Sequence, residues 1–208
     1  YLNAGSSYMQ APKNLPRARE LFLKAIELKP DFLQAKIWLA RYYAEVDSTE
    51  LMKQTYDEAI RLASEDKVKN KGILGEAYTQ LGSYYFTKKN YGAAVDVFSK
   101  AAAAGVESSG LYLAWGQGLI LTRGDNADEG RRKTDDAINK FRRSIQMDAC
   151  NAQAHFWLGN SLTYLRKEGD TSGNHRLQEE ACSEYAKAVK CDPKLEEAKK
   201  SAARIGCK

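Results

Sequence analysis

The stretch Ala18-Arg19-Glu20-Leu21-Phe22-Leu23-Lys24-Ala25-Ile26-Glu27-Leu28-Lys29-Pro30 decides the fold. It reads Ala-x3-Phe-x2-Ala-x4-Pro. Intervals of three and four residues bring side chains onto one face of a helix. The spacing recurs as Ala94-x3-Phe98-x2-Ala101 and as Ala181-x3-Tyr185-x2-Ala188-x4-Pro193. Two looser copies are Met52-x3-Tyr56-x2-Ala59 and Ala137-x3-Phe141-x2-Ser144. Small residues let a neighbouring helix approach closely, and the aromatic fills the gap between helices. The proline stops the helix, because it has no N–H to continue the ladder.

A second pattern alternates with the first. It pairs a large apolar residue with a small one at Leu39-Ala40, Leu81-Gly82, Trp115-Gly116 and Leu158-Gly159. Three residues before each pair's first member stand Lys36, Tyr78, Tyr112 and His155; three residues after its second stand Tyr43, Tyr85, Leu119 and Leu162. Each unit is thus a helix pair, A then B. The whole resembles the tetratricopeptide repeat, with its W-x2-L-G-x2-Y…A-x3-F…P signature and a period of about 34 residues.

The resemblance implies an all-α, right-handed superhelical solenoid of antiparallel helix pairs with a C-terminal capping helix. Five units are expected, at 1–32, 33–66, 75–108, 109–150 and 151–193, with the cap at 194–205, all in one domain spanning 1–208. The A helix of the first unit carries Gly5-Ser6-Ser7 where Leu-Gly belongs, which predicts a frayed or truncated end. The fourth and fifth units carry insertions of about nine or ten residues beyond the repeat period, Thr122 to Thr134 and Arg166 to Gln178. Both are rich in Gly, Asp, Asn and charge and read as surface loops.

Composition agrees with a helical protein. Of 208 residues, 43% are hydrophobic, enough to bury a core, and only 4 are proline. No apolar run approaches the roughly 20 residues of a membrane-spanning helix. The net charge of +5 is spread in mixed runs such as Arg131-Arg132-Lys133-Thr134-Asp135-Asp136, the habit of a solvated helix face. No basic stripe interleaved with aromatics points to nucleic acid.

In the resembling family the A helices line the concave groove. The positions this implies are Ile37, Trp38, Arg41 and Glu45; Thr79, Gln80, Ser83 and Phe86; Leu113, Gln117 and Ile120; and Phe156, Trp157, Asn160 and Tyr164. This face is aromatic and rich in amides, which suits burial of a partner's side chains and hydrogen bonds to an extended backbone. A family variant clamps an acidic C-terminal tail with Lys, Asn and Arg. The corresponding positions here are Asn3, Ser7, Trp38, Glu76 and Gln80, with Arg41 the one central cation, so a carboxylate clamp is not expected. The expected partner is another protein, bound through a peptide or helix within an assembly. The alternative is an envelope-associated accessory protein that binds a small apolar ligand in transport or envelope assembly.

The four cysteines, Cys150, Cys182, Cys191 and Cys207, all lie in the last third, without zinc-site spacing. One reading is four free thiols in a cytoplasmic protein. The repeat geometry offers another. It sets Cys150 beside Cys191 and Cys182 beside Cys207, so two bridges would staple the last unit to its cap and imply an extracytoplasmic, periplasmic or secreted, setting. The start at Tyr1 rather than Met would then fit a removed export signal.

Catalysis has little support, and no cofactor or metal is expected. The two histidines have no nucleophile or thiol arrangement around them: His155 sits where the motif wants an aromatic, and His175 sits in a polar insertion. No glycine-rich phosphate loop occurs. Asp125-Asn126-Ala127-Asp128-Glu129-Gly130 followed by Asp136 departs from a calcium loop, because Ala127 replaces an oxygen ligand and the last position is Asp where the loop has Glu.

Overall fold

The structure is a computed structural model that describes residues 1–10, 12–122, 124, 126–165 and 171–207. Eleven α-helices and one short 3-10 turn lie among the described residues. They are α1 (Leu2–Tyr8), α2 (Leu15–Leu28), α3 (Leu33–Glu45), α4 (Thr49–Ala63), α5 (Lys71–Thr87), α6 (Tyr91–Ala103), α7 (Ser109–Leu121), α8 (Ala127–Met147), α9 (Ala152–Tyr164), α10 (Thr171–Cys191) and α11 (Glu196–Arg204). The chain divides into two compact units. One comprises Tyr1–Asn90 with Ser99–Val106, the other Tyr91–Phe98 with Glu107–Lys208.

In the first unit α1 packs on α2, α2 on α3, α3 on α4, and α4 on α5. Phe22, Ile37, Met52, Tyr56 and Leu74 are fully buried there. In the second, α7 packs on α8, α8 on α9, α9 on α10, and α10 on α11. Its core holds Ala137, Ile138, Phe141, Leu158, Leu162, Ala181 and Tyr185.

The two sequence patterns meet in space as glycine against aromatic. A Cβ added at Gly116 would lie 2.5 Å from the Phe141 ring, and one at Gly159 would lie 2.7 Å from the Tyr185 ring. The bare glycine lets helices A and B close on one another. Gly5 does the same in the first unit, 2.6 Å from the Phe22 ring by the same measure. So Ala4-Gly5 fills the place of the large–small pair, and α1 is a helix seated on α2 rather than a frayed end.

Local chemistry sets the helix limits. The side chains of Asn14, Ser108, Asn126 and Asn151 each accept a hydrogen bond from the backbone N–H three residues on, the N-cap arrangement. At the C-terminal ends, Asp47, Lys89, Gly105 and Gly206 take positive φ. The next N–H in each case reaches a carbonyl five residues back, at Tyr43, Tyr85, Ala101 and Ala202. This closes the exposed carbonyls of the last turn.

The insertions are largely helical, which corrects their reading as surface loops. The first becomes the beginning of α8. Asn126 caps it by accepting from the Glu129 N–H at 2.9 Å, Asp128 and Glu129 occupy the first turn, and Lys133 pairs with Glu129 at 2.9 Å. The second becomes the beginning of α10 from Thr171. Residues 123 and 125 of the first insertion, the latter also part of the calcium-loop comparison, and residues 166–170 of the second lie outside the described residues.

The cysteines form two bridges, Cys150–Cys191 with Cα atoms 5.3 Å apart and Cys182–Cys207 with Cα atoms 5.5 Å apart. The first ties the entry of α9 to the end of α10, and the second ties α10 to the turn after α11. Gln178 adds a hydrogen bond to the Ile205 carbonyl at 2.6 Å. Nearby, His155 is buried. Its Nδ1 lies 2.5 Å from Glu184 Oε2 and its Nε2 lies 3.1 Å from the Ala149 carbonyl oxygen. His155 therefore links α9 to α10 by polar contacts and is more than a packing residue.

Candidate functional site

The A-helix positions fall into two groups, one in each unit. In the first unit, Trp38 of α3 is half-buried. One of its faces stacks on Phe22, with ring centroids 6.1 Å apart, and the Arg41 guanidinium lies 4.2 Å from its ring centroid. Arg41 and Glu45 of α3 and Gln80 and Ser83 of α5 line a shallow depression of about 320 Å³ with Tyr56 at its base. Thr79 is exposed and Phe86 half-buried on the same helix. Burial pushes the Tyr56 hydroxyl far above the ordinary tyrosine range, although the nearby Arg41 charge opposes the shift.

Ile37 does not belong to this face. It is fully buried, because adjacent helical residues point about 100° apart. Trp38 faces outward, so its apolar neighbour turns into the core.

In the second unit, Trp157 of α9 repeats the position of Trp38. It stacks on Phe141 with centroids 6.4 Å apart, as Trp38 stacks on Phe22. The residue one turn on differs. Arg41 follows Trp38 by three residues, and Asn160 follows Trp157 by three. The buried Tyr185 hydroxyl donates to Asn160 Oδ1 at 2.8 Å. That bond fixes the amide and leaves its NH2 as an available donor. No cation lies over Trp157 among the described residues.

Trp157 therefore looks onto a cleft of about 470 Å³. Helix α7 contributes Leu119 and Ile120, α9 contributes Trp157, Asn160 and Tyr164, and the capped start of α8 contributes Gly130 and Lys133. The remaining groove positions lie around it. Leu113 packs against the core cluster, and Gln117 is half-buried. Phe156 turns toward α10, its ring 6.3 Å from Tyr185. Tyr164 is exposed at the rim.

Sequence reasoning missed Gly130, Lys133 and the Tyr185 tether. The first two lie in a polar insertion whose composition reads as a loop. The spacing Asn126-x2-Glu129, a helix-start signal, marks that the insertion is helical.

Comparison with known proteins bears on the repeat and the fold. The family model described as "Tetratricopeptide repeat" matches residues 75–104. Tetratricopeptide repeat protein 5 of Bos taurus is 32% identical over 127 residues, which cover 60% of this chain and 28% of the relative. The crystal structure of YrrB superimposes with a TM-score of 0.65 at 25% identity, covering 90% of this chain and 82% of that one. The chain carries a tetratricopeptide repeat over residues 75–104 and has the fold of a tetratricopeptide-repeat solenoid. A further tetratricopeptide-like solenoid, the crystal structure of MamA, shares the fold with a TM-score of 0.66 at 18% identity, covering 95% of this chain and 99% of that one. The chain spans 28% of the length of the curated relatives it matches.

Proposed function

We propose that this tetratricopeptide-repeat protein is an interaction scaffold that holds an extended peptide of a partner protein on its A-helix faces. One observation carries the reading: Asn160 is held by Tyr185 with its NH2 free, beside the open face of Trp157. An oriented donor next to a large aromatic is what a peptide backbone and side chain need, and Trp is favoured where binding energy concentrates. The similarity to YrrB, described as "a TPR protein with an unusual peptide-binding site", supports the same direction. The scaffold itself does no chemistry in this reading.

Selection of phage-displayed random peptides on the protein tests it. Peptides enriched on the wild type are expected to lose about thirtyfold or more in affinity for Trp157→Ala. The reading fails if nothing enriches. It fails equally if enriched peptides bind a folded Trp38→Ala/Trp157→Ala/Asn160→Ala variant as well as they bind the wild type.

We infer further that the protein works in an oxidising compartment, outside the cytoplasm. Two bridges close the C-terminal end, and disulfides persist where thiols are not kept reduced. Alkylation of the protein in its native source, followed by intact mass measurement, checks this. Four alkylated thiols would sink it.

A further inference from the structure

The insertion at the start of α8 adds a wall to the cleft, and the wall has a definite chemistry. Across from Trp157 and Tyr164 stand Ala127 and Gly130 of α8, with Leu119 and Ile120 of α7 on the third side. A Cβ on Gly130 would lie 3.1 Å from the Tyr164 hydroxyl, so the bare glycine sits hard against the rim aromatic. The volume of about 470 Å³ lies within the roughly 300–1,000 Å³ of sites that enclose a ligand. It has room for one large side chain with its adjoining backbone.

The polar atoms around the cleft are mostly committed. The hydroxyls of Thr122, Thr134 and Ser161 donate to the carbonyls of Gly118, Gly130 and Trp157, four residues back, at 2.7, 2.8 and 2.8 Å. Their hydrogens are turned into their own helices. Lys133, the charged residue of the lining, is paired with Glu129. No carboxylate lines the cleft among the described residues. What remains is an apolar interior, an edge whose one charge is ion-paired, the Tyr164 hydroxyl at the rim and the Asn160 NH2. This pattern complements an uncharged apolar group beside a carbonyl oxygen and offers a cationic side chain no carboxylate in the lining.

Resting on the scaffold reading above, we propose that the insertion-walled cleft of the second unit is a selectivity pocket for one bulky apolar residue of the partner peptide, aromatic or leucine, whose adjoining carbonyl accepts from Asn160. Arg41 shows how the same position is closed: a guanidinium three residues after the tryptophan covers the ring. The second unit replaces that cover with an amide anchored from behind.

The test uses capped amino acids as probes, followed by amide NMR shifts on the full chain. N-acetyl-tryptophanamide and N-acetyl-leucinamide are expected to shift the signals of Gly130, Trp157 and Asn160 saturably. N-acetyl-lysinamide is expected to bind at least about tenfold more weakly. Asn160→Arg, which supplies the Arg41-like cover, and Gly130→Leu, which fills the wall, should each abolish the shifts. Shift dispersion elsewhere in α9 and α10 reports that each variant is folded.

The proposal is overturned if the apolar probes leave the cleft signals unmoved or the lysine probe matches them. Binding that survives in both folded variants also overturns it. Peptides that enrich without any apolar residue, yet still need Trp157, overturn this pocket while leaving the scaffold reading in place. Probe binding in the cleft with no peptide ever enriched does the reverse.

Discussion

Trp38 and Trp157 occupy the same register of equivalent helices, and each stacks on the aromatic of the preceding B helix. Their outer faces differ. Arg41 lies across the first, while Asn160 is drawn back by Tyr185 and leaves the second open. One residue type at one position thus turns a covered ring into a cleft wall. The same helix pairs differ in what joins them. Lys36 of α3 reaches Glu58 of α4 at 2.9 Å, with Glu58 half exposed to water. The equivalent His155 of α9 meets Glu184 with both groups buried, and two disulfides lie close by. A repeat therefore fixes a backbone frame, and the occupants of a few positions decide whether a unit is soft or rigid, closed or open.

The largest expected break in this contrast comes from the bridges. Replacing Cys150 and Cys191 by Ser should cost about 4 kcal/mol, and replacing Cys182 and Cys207 about 3.5 kcal/mol, by loop-closure entropy. Amide exchange followed by mass spectrometry should show α9 to α11 opening far more readily, with α3 and α4 unaffected. Equal protection with and without the bridges would refute a stapling role.

Next in size is the buried pair. Glu184→Gln leaves His155 and Lys187 without their carboxylate and should cost about 3 kcal/mol in urea unfolding. Glu58→Gln removes a half-exposed pair and should cost about 1 kcal/mol or less. Similar losses at both sites would remove the distinction drawn between the two helix pairs.

Glycine substitutions sharpen the packing side of the comparison. Gly159→Ala drives a methyl into the Tyr185 ring and should destabilise by about 1–3 kcal/mol. Gly110→Ala, in α7 with nothing within 4 Å of the new methyl, should stabilise by about 0.5–1 kcal/mol. Thermal melts of the two variants should move in opposite directions.

The smallest effect is a dependence on alkaline pH in the first unit. Burial holds the Tyr56 hydroxyl well above its ordinary value of 10.0, and pushes Tyr78 and Tyr85 the same way. The native state then keeps protons that the unfolded chain releases. Stability is unaffected below about pH 10 and falls as pH rises past it. Tyr56→Phe should flatten part of that fall when urea unfolding at pH 9 is compared with pH 11. An unchanged slope would contradict it.

Much of the frame was legible because it is written in spacing. Ala18-x3-Phe22-x2-Ala25 and its copies specify helices that must approach closely, and the large–small pairs specify where. Gly5 escaped because its partner is Ala4 rather than Leu, although the contact with Phe22 is the same. Ile37 was misplaced because apolar character does not reveal rotation about a helix axis. The cleft was the least legible part. Its wall depends on a polar segment being helical, and its donor depends on Tyr185 reaching Asn160 from 25 residues away.

The two bridges also set how the chain would respond to an applied tension. Their loops overlap, spanning 150–191 and 182–207. Tension applied across Cys150 and Cys207 passes through one bridge, back along the segment between Cys191 and Cys182, and out through the other. Only that short segment can lengthen. The region can pay out about 30 Å of contour instead of about 200 Å, at ~3.5 Å per residue. A partner tugging on the C-terminal end of this scaffold would meet a stop, where the unbridged helix pairs of the first unit would unravel like thread.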